Sequence, residues 1–257
     1  MKFRIIVDSF REPAINMALD ESVLYLRKNV DYNTIRFYGW DPSAVSIGYF
    51  QNLDDEVDVN YAESHGIALI RRITGGGAVY HWKDGEITYS IVVGHDVIKD
   101  VNVRDSYGTL FSGIIEGLRS LGIDARWSGI NDISVNDKKI SGNAQTRRYG
   151  SILQHGTILL DVNPYEMFSV LKVSDEKIKD KMIKNIYERV TSLKNLDVKI
   201  PRMKIIDSFI NGYKKSFNGE FYYGSFTNDE IGLAKKIYNK YSSMKWTRDR
   251  KNMFVID

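Results

Sequence analysis

The chain has 257 residues, of which 43% are hydrophobic and 12% aromatic, and it carries a formal net charge of +3 at pH 7. This length is enough for one large domain with a substantial core, and the dispersed basic residues do not indicate nucleic-acid binding. No segment approaches the ~18 consecutive apolar residues of a membrane helix, and no secretory leader pattern precedes the first charges. The sequence therefore predicts a cytoplasmic protein with neither a membrane nor a nucleic acid as partner.

The first 122 residues alternate between helix and strand patterns. The predicted elements are a helix over 13–28, strands over 34–38 and 44–50, a short helix over 61–65, strands over 67–71 and 87–93, and a helix over 105–121 that Gly122 ends.

From residue 130 onward two predicted strand pairs come first, and helices follow after residue 160. The predicted elements are a hairpin over 130–140 turning at Asn136-Asp137, a ribbon over 151–153 and 155–160, helices beginning at Asn163-Pro164 and Ser174, a helix over 201–217, and a capping-box helix from Thr227 to about Ser242. Residues 245–257 are charged and are predicted to be extended or bound to a partner. Because strands dominate up to residue 160 and helices follow, the fold class is α+β, without a regular βαβ repeat.

The residue types present limit the possible chemistry. The chain contains no cysteine, which excludes disulfides, cysteine-ligated zinc and a thiol nucleophile. Its four histidines, His65, His81, His95 and His155, show no i, i+4 pairing, which argues against a protein-bound transition metal.

The segment Arg71–His81 reads RRITGGGAVYH and contains the most specific motif of the chain. Three consecutive glycines cost backbone entropy, so a folded protein keeps them where the backbone takes positive φ or approaches a ligand. With two arginines beside them, the pattern indicates a loop against an anionic, phosphorylated small molecule. The alternative is a strand-connecting turn flanked by solvated arginines.

A second constellation lies on the predicted hairpin. Asn131-Asp132 precedes its turn, and Lys139 follows the turn directly before Ser141-Gly142. A lysine on a rigid strand can place a positive charge against a carboxylate and a phosphate, with Asp132 orienting the ammonium or holding Mg²⁺. The alternative is an ordinary surface Lys–Asp pair.

Together these segments resemble the lipoate–protein ligase family, within the biotin/lipoate ligase and transferase superfamily. The resemblance extends from about residue 13 to residue 200. It rests on Arg71–His81, on Asn131-Asp132, on the KISGxA pattern of 139–144, on HGTxLL of 155–160, and on the further pieces at 16–21 and 36–40. It implies a mixed β-sheet flanked by helices, as in the catalytic domain of biotin/lipoate protein ligases. It also implies one catalytic large domain over 1–257, without a C-terminal accessory domain.

The resemblance implies a two-step reaction. ATP with Mg²⁺ activates lipoate to lipoyl-AMP, and a lysine of a lipoyl acceptor domain then takes the lipoyl group. The implied acceptors are the E2 subunits of 2-oxoacid dehydrogenases and the glycine-cleavage H protein. A separate accessory protein is expected to supply the domain that this chain lacks, so that activation requires this partner.

The same resemblance assigns roles to individual residues. Lys139 is expected to be catalytic, with Asp132 placing it or a metal ion, and Arg71 is expected to face the adenylate. The expected substrate- or adenylate-binding set is Arg71, Arg72, Thr74, Gly75, Gly76, Gly77, Ala78, Val79, His81, Asn131, Ser141, Gly142, Ala144 and His155. The two histidines have an equally good structural interpretation. An apolar tunnel is expected along Ile47, Tyr49 and Val79.

Three alternatives remain at this point. An octanoyl transferase of the same fold passes its acyl group through a cysteine thioester, and the absence of cysteine disfavours that route. A biotin ligase would carry a different, Gly-Arg-rich loop. A non-catalytic lipoate- or lipoyl-AMP-binding module would not need Lys139, Asp132 and the three glycines together.

Overall fold

The structure is a computed structural model that describes residues 1–98, 101–172 and 176–251, without the side chains of 176–182. Within these ranges the chain forms an eight-stranded mixed sheet and a three-stranded sheet. No helix of the described ranges is both long and apolar enough to cross a membrane.

The large sheet has the strand order β11-β1-β2-β6-β10-β9-β8-β7, and the small sheet has the order β4-β3-β5. The strands are β1 Lys2–Arg11, β2 Tyr32–Trp40, β3 Ala44–Ile47, β4 Ala68–Arg71, β5 Val79–His81, β6 Glu86–Gly94, β7 Ala125–Ser128, β8 Asp132–Val135, β9 Lys138–Arg148, β10 Ser151–Leu159 and β11 Glu220–Tyr223. β1 pairs in parallel with both β2 and β11, whereas β6, β10, β9, β8 and β7 form an antiparallel run.

The helices lie on both faces of the large sheet. They are α1 Pro13–Leu26, α2 Leu53–Glu56, α3 Val59–Ser64, α4 Val103–Ser120, α5 Pro164–Val170, α6 Glu176–Arg189, α7 Arg202–Ser216, α8 Asn228–Tyr241 and α9 Met244–Asp249. α4 and α7 pack closely because Gly212 of α7 faces Gly113 of α4, where a Cβ would overlap the backbone. They cover the main hydrophobic core on one face of the sheet, whereas α1 and α8 bury a second core with the small sheet on the other.

The α+β class and the mixed sheet flanked by helices are confirmed. The turn and the helix caps that were predicted from short sequence patterns are also confirmed. Asn136 and Asp137 take φ values of 49° and 59°, as a tight hairpin turn requires. Asn163 caps α5, and Thr227 with Glu230 forms the capping box of α8.

Several boundaries and elements differ from the prediction. β3 ends at Ile47 rather than at residue 50, and the short strands β5, β7 and β11 were missed, as was β1. β11 has four residues and is defined by its distant pairing with β1, a contact that no local pattern encodes. The tail predicted as extended contains α9, in which Trp246 is buried. The helix start predicted at Ser174 lies outside the described residues.

Candidate active site

A cavity of about 500 Å³ lies between the helix α1 face of the large sheet and the small sheet, with α5 and α6 along one side. This volume is within the range of small-molecule sites. The floor is a row of neighbouring residues on three paired strands, Thr88 of β6, Thr157 of β10 and Gly142 of β9. Most of the remaining wall is apolar.

Lys139 and Asp132 occupy the open end of the cavity. Lys139 Nζ lies 2.9 Å from Asp132 Oδ1, with side-chain exposures of 42% and 33%. A register shift between Ile133 and Ser134 alters the pairing of β8 with β9 at this point. Lys139 then folds over Gly142, where a Cβ would lie 2.6 Å from Nζ. Lys139 is therefore half-exposed and held by one carboxylate. Its position requires a glycine at residue 142, because a side chain there would overlap the ammonium.

A reciprocal amide pair supports this end. Asn143 Nδ2 donates to the Asn131 carbonyl at 2.9 Å, and Asn131 Nδ2 donates to the Asn143 carbonyl at 2.5 Å. Asn143 Oδ1 accepts from the Tyr89 hydroxyl at 2.5 Å, in space that a Cβ on Gly156 would fill. Both asparagines line the cavity. The sequence analysis named Asn131 as a site residue but missed Asn143. No local sequence pattern distinguishes Asn143 from the residues around it.

Arg72 holds the glycine-rich loop from beneath. Its Nη2 donates to the carbonyls of Gly75 and Gly77 at 2.9 and 2.7 Å, and its Nη1 donates to Ser46 O and Oγ at 2.9 and 3.0 Å. Burial lowers the pKa of Arg72 to about 10. Gly76 takes φ +95°, and its carbonyl occupies the space of a Cβ on Gly48. Of the three glycines, Gly76 therefore meets the expectation of positive φ, and the close approach seen here is to the backbone of Gly48, whereas a Cβ on Gly75 or Gly77 would meet no other atom within 4 Å.

Arg71 points away from the cavity, so the expectation that it faces a bound adenylate is wrong. Its buried guanidinium donates to six backbone carbonyls at 2.7–3.2 Å, three in the loop after β3 and three in α9. Consecutive residues of a strand project to opposite faces. Arg71 therefore anchors the C-terminal helix, while Arg72 serves the loop.

A hydrogen-bond chain closes the inner end of the cavity. His81 Nδ1 lies 2.8 Å from Glu86 Oε1, and its Nε2 lies 2.8 Å from Ser46 Oγ. Thr88 donates to Glu86 at 2.7 Å and accepts from Trp40 Nε1 at 2.7 Å. With the proton on Nδ1, each of these groups has a partner, and the Arg72 cation at one end balances the Glu86 anion near the other.

His155 lies along the same cavity wall. Its Nε2 is 2.7 Å from Thr74 Oγ1, and its Nδ1 is 3.7 Å from Asp20 Oδ2, beyond hydrogen-bond length. Burial lowers the pKa of His155, and the nearby Asp20 carboxylate only partly opposes this. Asp20 is itself paired with Arg36 at 2.9 Å. His155 is therefore a neutral wall residue at neutral pH.

The structure brings most of the predicted site residues to one cavity. Those that line it are Arg72, Gly76, Gly77, Ala78, Val79, His81, Asn131, Lys139, Gly142, Ala144 and His155. Thr74, Gly75, Ser141 and Asp132 lie behind or beside these residues, and the expected tunnel residues Ile47 and Tyr49 are not part of the wall. The apolar wall instead comes from distant elements that sequence reasoning missed, chiefly Met17, Tyr38, Trp40, Met167, Phe168 and Ile186.

The described residues contain no group of three His, Asp or Glu side chains that could hold a metal ion. Asp132 is a single carboxylate already paired with Lys139, which makes a poor Mg²⁺ site by itself.

Residues 12–214 match the family described as the lipoyl protein ligase A/B catalytic domain. The chain belongs to this family. It is similar to the octanoyltransferase LipM of Clostridioides difficile, with 34% identity over 97% of this chain and 99% of the relative. Among solved structures it is similar to a bi-partite lipoate protein ligase from the archaeon Thermoplasma acidophilum, described with its E2 lipoyl domain. The TM-score is 0.89 and the identity 31%, over 100% of both chains. It is also similar to a lipoate-protein ligase A bound with ATP, with a TM-score of 0.82 and 28% identity over 96% of this chain and 99% of the other.

These findings establish that the protein is an enzyme of the lipoate ligase and octanoyltransferase superfamily, and protein lipoylation fits this assignment. They contradict the prediction of an ATP-dependent lipoate ligase, because eight relatives at 31–34% identity all bear the octanoyltransferase name. The prediction followed the motif resemblance, and it set the octanoyl transferase alternative aside because the chain has no cysteine. That absence excludes a thioester on the enzyme, but it does not exclude acyl transfer by another route.

Proposed function

We propose that this protein is an acyltransferase that moves an octanoyl group from an activated donor to the ε-amine of a lysine on a lipoyl acceptor domain. The observation that carries the proposal is the similarity to octanoyltransferases over almost the whole chain, 97% of it in the first of these relatives. The cavity supports it, because an apolar chamber with an ammonium at its mouth suits an acyl chain that ends in a reactive carbonyl.

The two ends of the cavity orient the acyl group. At the inner end, Trp40 Nε1, both ring nitrogens of His81 and Glu86 Oε1 bond to protein partners, and most of the surrounding wall is apolar. At the open end, Lys139 supplies a positive charge. The methyl end of the octanoyl chain therefore lies toward Trp40, and its carbonyl lies toward Lys139.

With no cysteine in the chain, transfer takes place without an enzyme thioester. The acceptor amine attacks the acyl carbonyl, a C–N bond forms and the bond to the donor sulfur breaks. The proton lost by the amine goes to the departing thiolate. Lys139 stabilises the negative charge that builds on the carbonyl oxygen, and Asp132 keeps its ammonium in place. Because the donor arrives activated, the proposal requires neither ATP and Mg²⁺ nor an accessory protein.

Intact-mass spectrometry of a lipoyl acceptor domain tests this proposal. Three parallel reactions contain octanoyl thioester on a carrier protein, octanoyl-AMP, or octanoate with ATP and Mg²⁺. We expect an octanoyl mass gain from the thioester without ATP, and its loss in Lys139→Ala. The matched control is Lys138→Ala, since Lys138 is the neighbouring lysine on β9 and bonds to the Tyr187 carbonyl outside the cavity. A gain that requires octanoate with ATP, or no gain in any reaction, would overturn the proposal.

A further inference from the structure

Four arginines lie on the end of β9 and on the neighbouring segments α4 and the residues after α9, and we call this group the arginine rim. It consists of Arg104 in the first turn of α4, Arg147 and Arg148 at the end of β9, and Arg250 after α9. Arg104 also lies over the Trp127 ring of β7, 5.7 Å from its centroid. Arg147 donates to Ser106 Oγ of α4 at 3.1 Å, which joins the helix to the strand end. Arg148 and Arg250 both lie over the Tyr49 ring, at 4.9 and 6.0 Å from its centroid.

The charges of the arginine rim are not neutralised within the protein. Among residues 1–98, 101–172 and 176–251, no carboxylate forms an ion pair with any of the four arginines, whereas Arg4 and Arg36 pair with Glu230 and Asp20. The acidic neighbours in sequence are Asp105, which bonds to Asn102, and Asp249. Arg104, Arg147 and Arg250 are exposed. The rim therefore presents an excess of positive charge to solvent.

An exposed aromatic side chain lies beside the arginine rim, on a corner that is joined to the cavity wall. Phe50 is 76% exposed and packs edge-on against Tyr49, with ring centroids 5.0 Å apart. Tyr49 N donates to the Thr74 carbonyl at 2.8 Å, so the Tyr49–Phe50 corner is fixed to the glycine-rich loop. Gly76 and Gly77 of that loop line the cavity and are themselves exposed.

We propose that the arginine rim and Phe50 form the docking surface for the acceptor domain and bind an acidic face beside its target lysine. The inference rests on the proposed function, which requires a protein lysine to reach Lys139 through the cavity mouth. Arginine and aromatic side chains are enriched at protein interfaces and supply most of the binding energy there. Unpaired arginines additionally attract an acidic partner and set its orientation before contact. The complementary partner surface is therefore acidic with an apolar spot for Phe50.

The test compares an Arg147→Gln/Arg250→Gln variant with a Lys235→Gln/Lys236→Gln control, which removes the same charge from the exposed face of α8. The Kd of the acceptor domain is measured at several salt concentrations. Its KM is measured with octanoyl N-acetylcysteamine thioester, an uncharged donor. The rim variant should raise Kd and KM about three- to tenfold, as expected for loss of two charges worth up to ~0.7 kcal/mol each. Its kcat should be unchanged, and the salt dependence of its Kd should be weaker than that of the control.

Phe50→Ala should raise Kd without altering the salt dependence of Kd.

The rim proposal fails if the rim variant and the control share the same Kd and salt dependence. It also fails if only the KM of a charged carrier-bound donor rises, since the rim would then bind the donor. Melting temperatures of all variants establish that they are folded. Failure of the proposed function itself would look different, because the wild-type chain would then bind the acceptor domain without acylating it from any thioester.

Discussion

The inner and open ends of the cavity are built on opposite principles. At the inner end, His81, Glu86 and Ser46 are at least 95% buried and are joined to one another and to their neighbours by hydrogen bonds. At the open end, Lys139 and Asp132 are a half-exposed pair with one contact between them. A satisfied buried network fixes the shape of a wall, whereas a loosely held charge is free to follow a reacting group. The inner end should therefore control stability and fit, and the open end should control rate.

Removing the charge at the open end should have the largest effect. We expect Lys139→Ala to lower kcat about 10²- to 10³-fold, the usual loss when one transition-state donor is removed. The Kd of octanoate, measured by calorimetry, should change little, because the acyl chain contacts the inner wall. A comparable loss of octanoate binding would mean that Lys139 acts in the ground state and would remove the contrast between the ends.

Breaking the network at the inner end should mainly affect stability. His81→Phe preserves a ring against Trp40, whose centroid lies 4.1 Å from that of His81, but it leaves Glu86 and Ser46 each without one partner. Buried groups without partners cost about 2 kcal/mol. We therefore expect Tm, measured by calorimetry, to fall by about 4–8 °C. An unchanged Tm would show that the network contributes no stability.

The carboxylate at the open end should affect rate with little effect on stability. Asp132→Asn retains the shape but removes the charge that holds Lys139 Nζ at 2.9 Å. We expect kcat to fall about three- to tenfold, equivalent to at most ~1.4 kcal/mol, while Tm stays within about 2 °C. If Tm falls and kcat is retained, Asp132 is a structural residue.

The smallest effect should be the pH dependence that His155 gives to stability. Because burial lowers its pKa in the folded protein, the unfolded chain binds the proton more readily. The free energy of unfolding should therefore be unaffected by His155 at pH values above the ordinary histidine pKa of 6.5, and it should decrease as the pH falls below that value. The slope of Tm between pH 7.5 and 5.5 should be shallower in His155→Gln, and His65→Gln, which alters an exposed histidine, serves as the control. Equal slopes in the wild type and His155→Gln would contradict this account.

Much of the site could be predicted because its decisive signals are local. The Asn136-Asp137 turn pairs β8 with β9, so Asp132 and Lys139 must lie close together once the hairpin forms. In the glycine-rich loop, Gly76 likewise takes a positive φ that favours glycine. The α+β class followed from the distribution of strand and helix patterns along the chain.

What the sequence left open depended on contacts between distant segments. Arg71 and Arg72 are chemically identical neighbours, and only the packing of α9 on one side and the loop on the other separates an anchor from a cavity residue. The apolar wall is formed by side chains from β2, α5 and α6. These elements are far apart in the sequence, and no periodic pattern indicates that they meet. Local stereochemistry thus determined the hairpin and the loop from the sequence alone. The cavity between them could not be predicted in this way, because its wall consists of contacts between elements that are remote in the sequence and meet only in the folded chain.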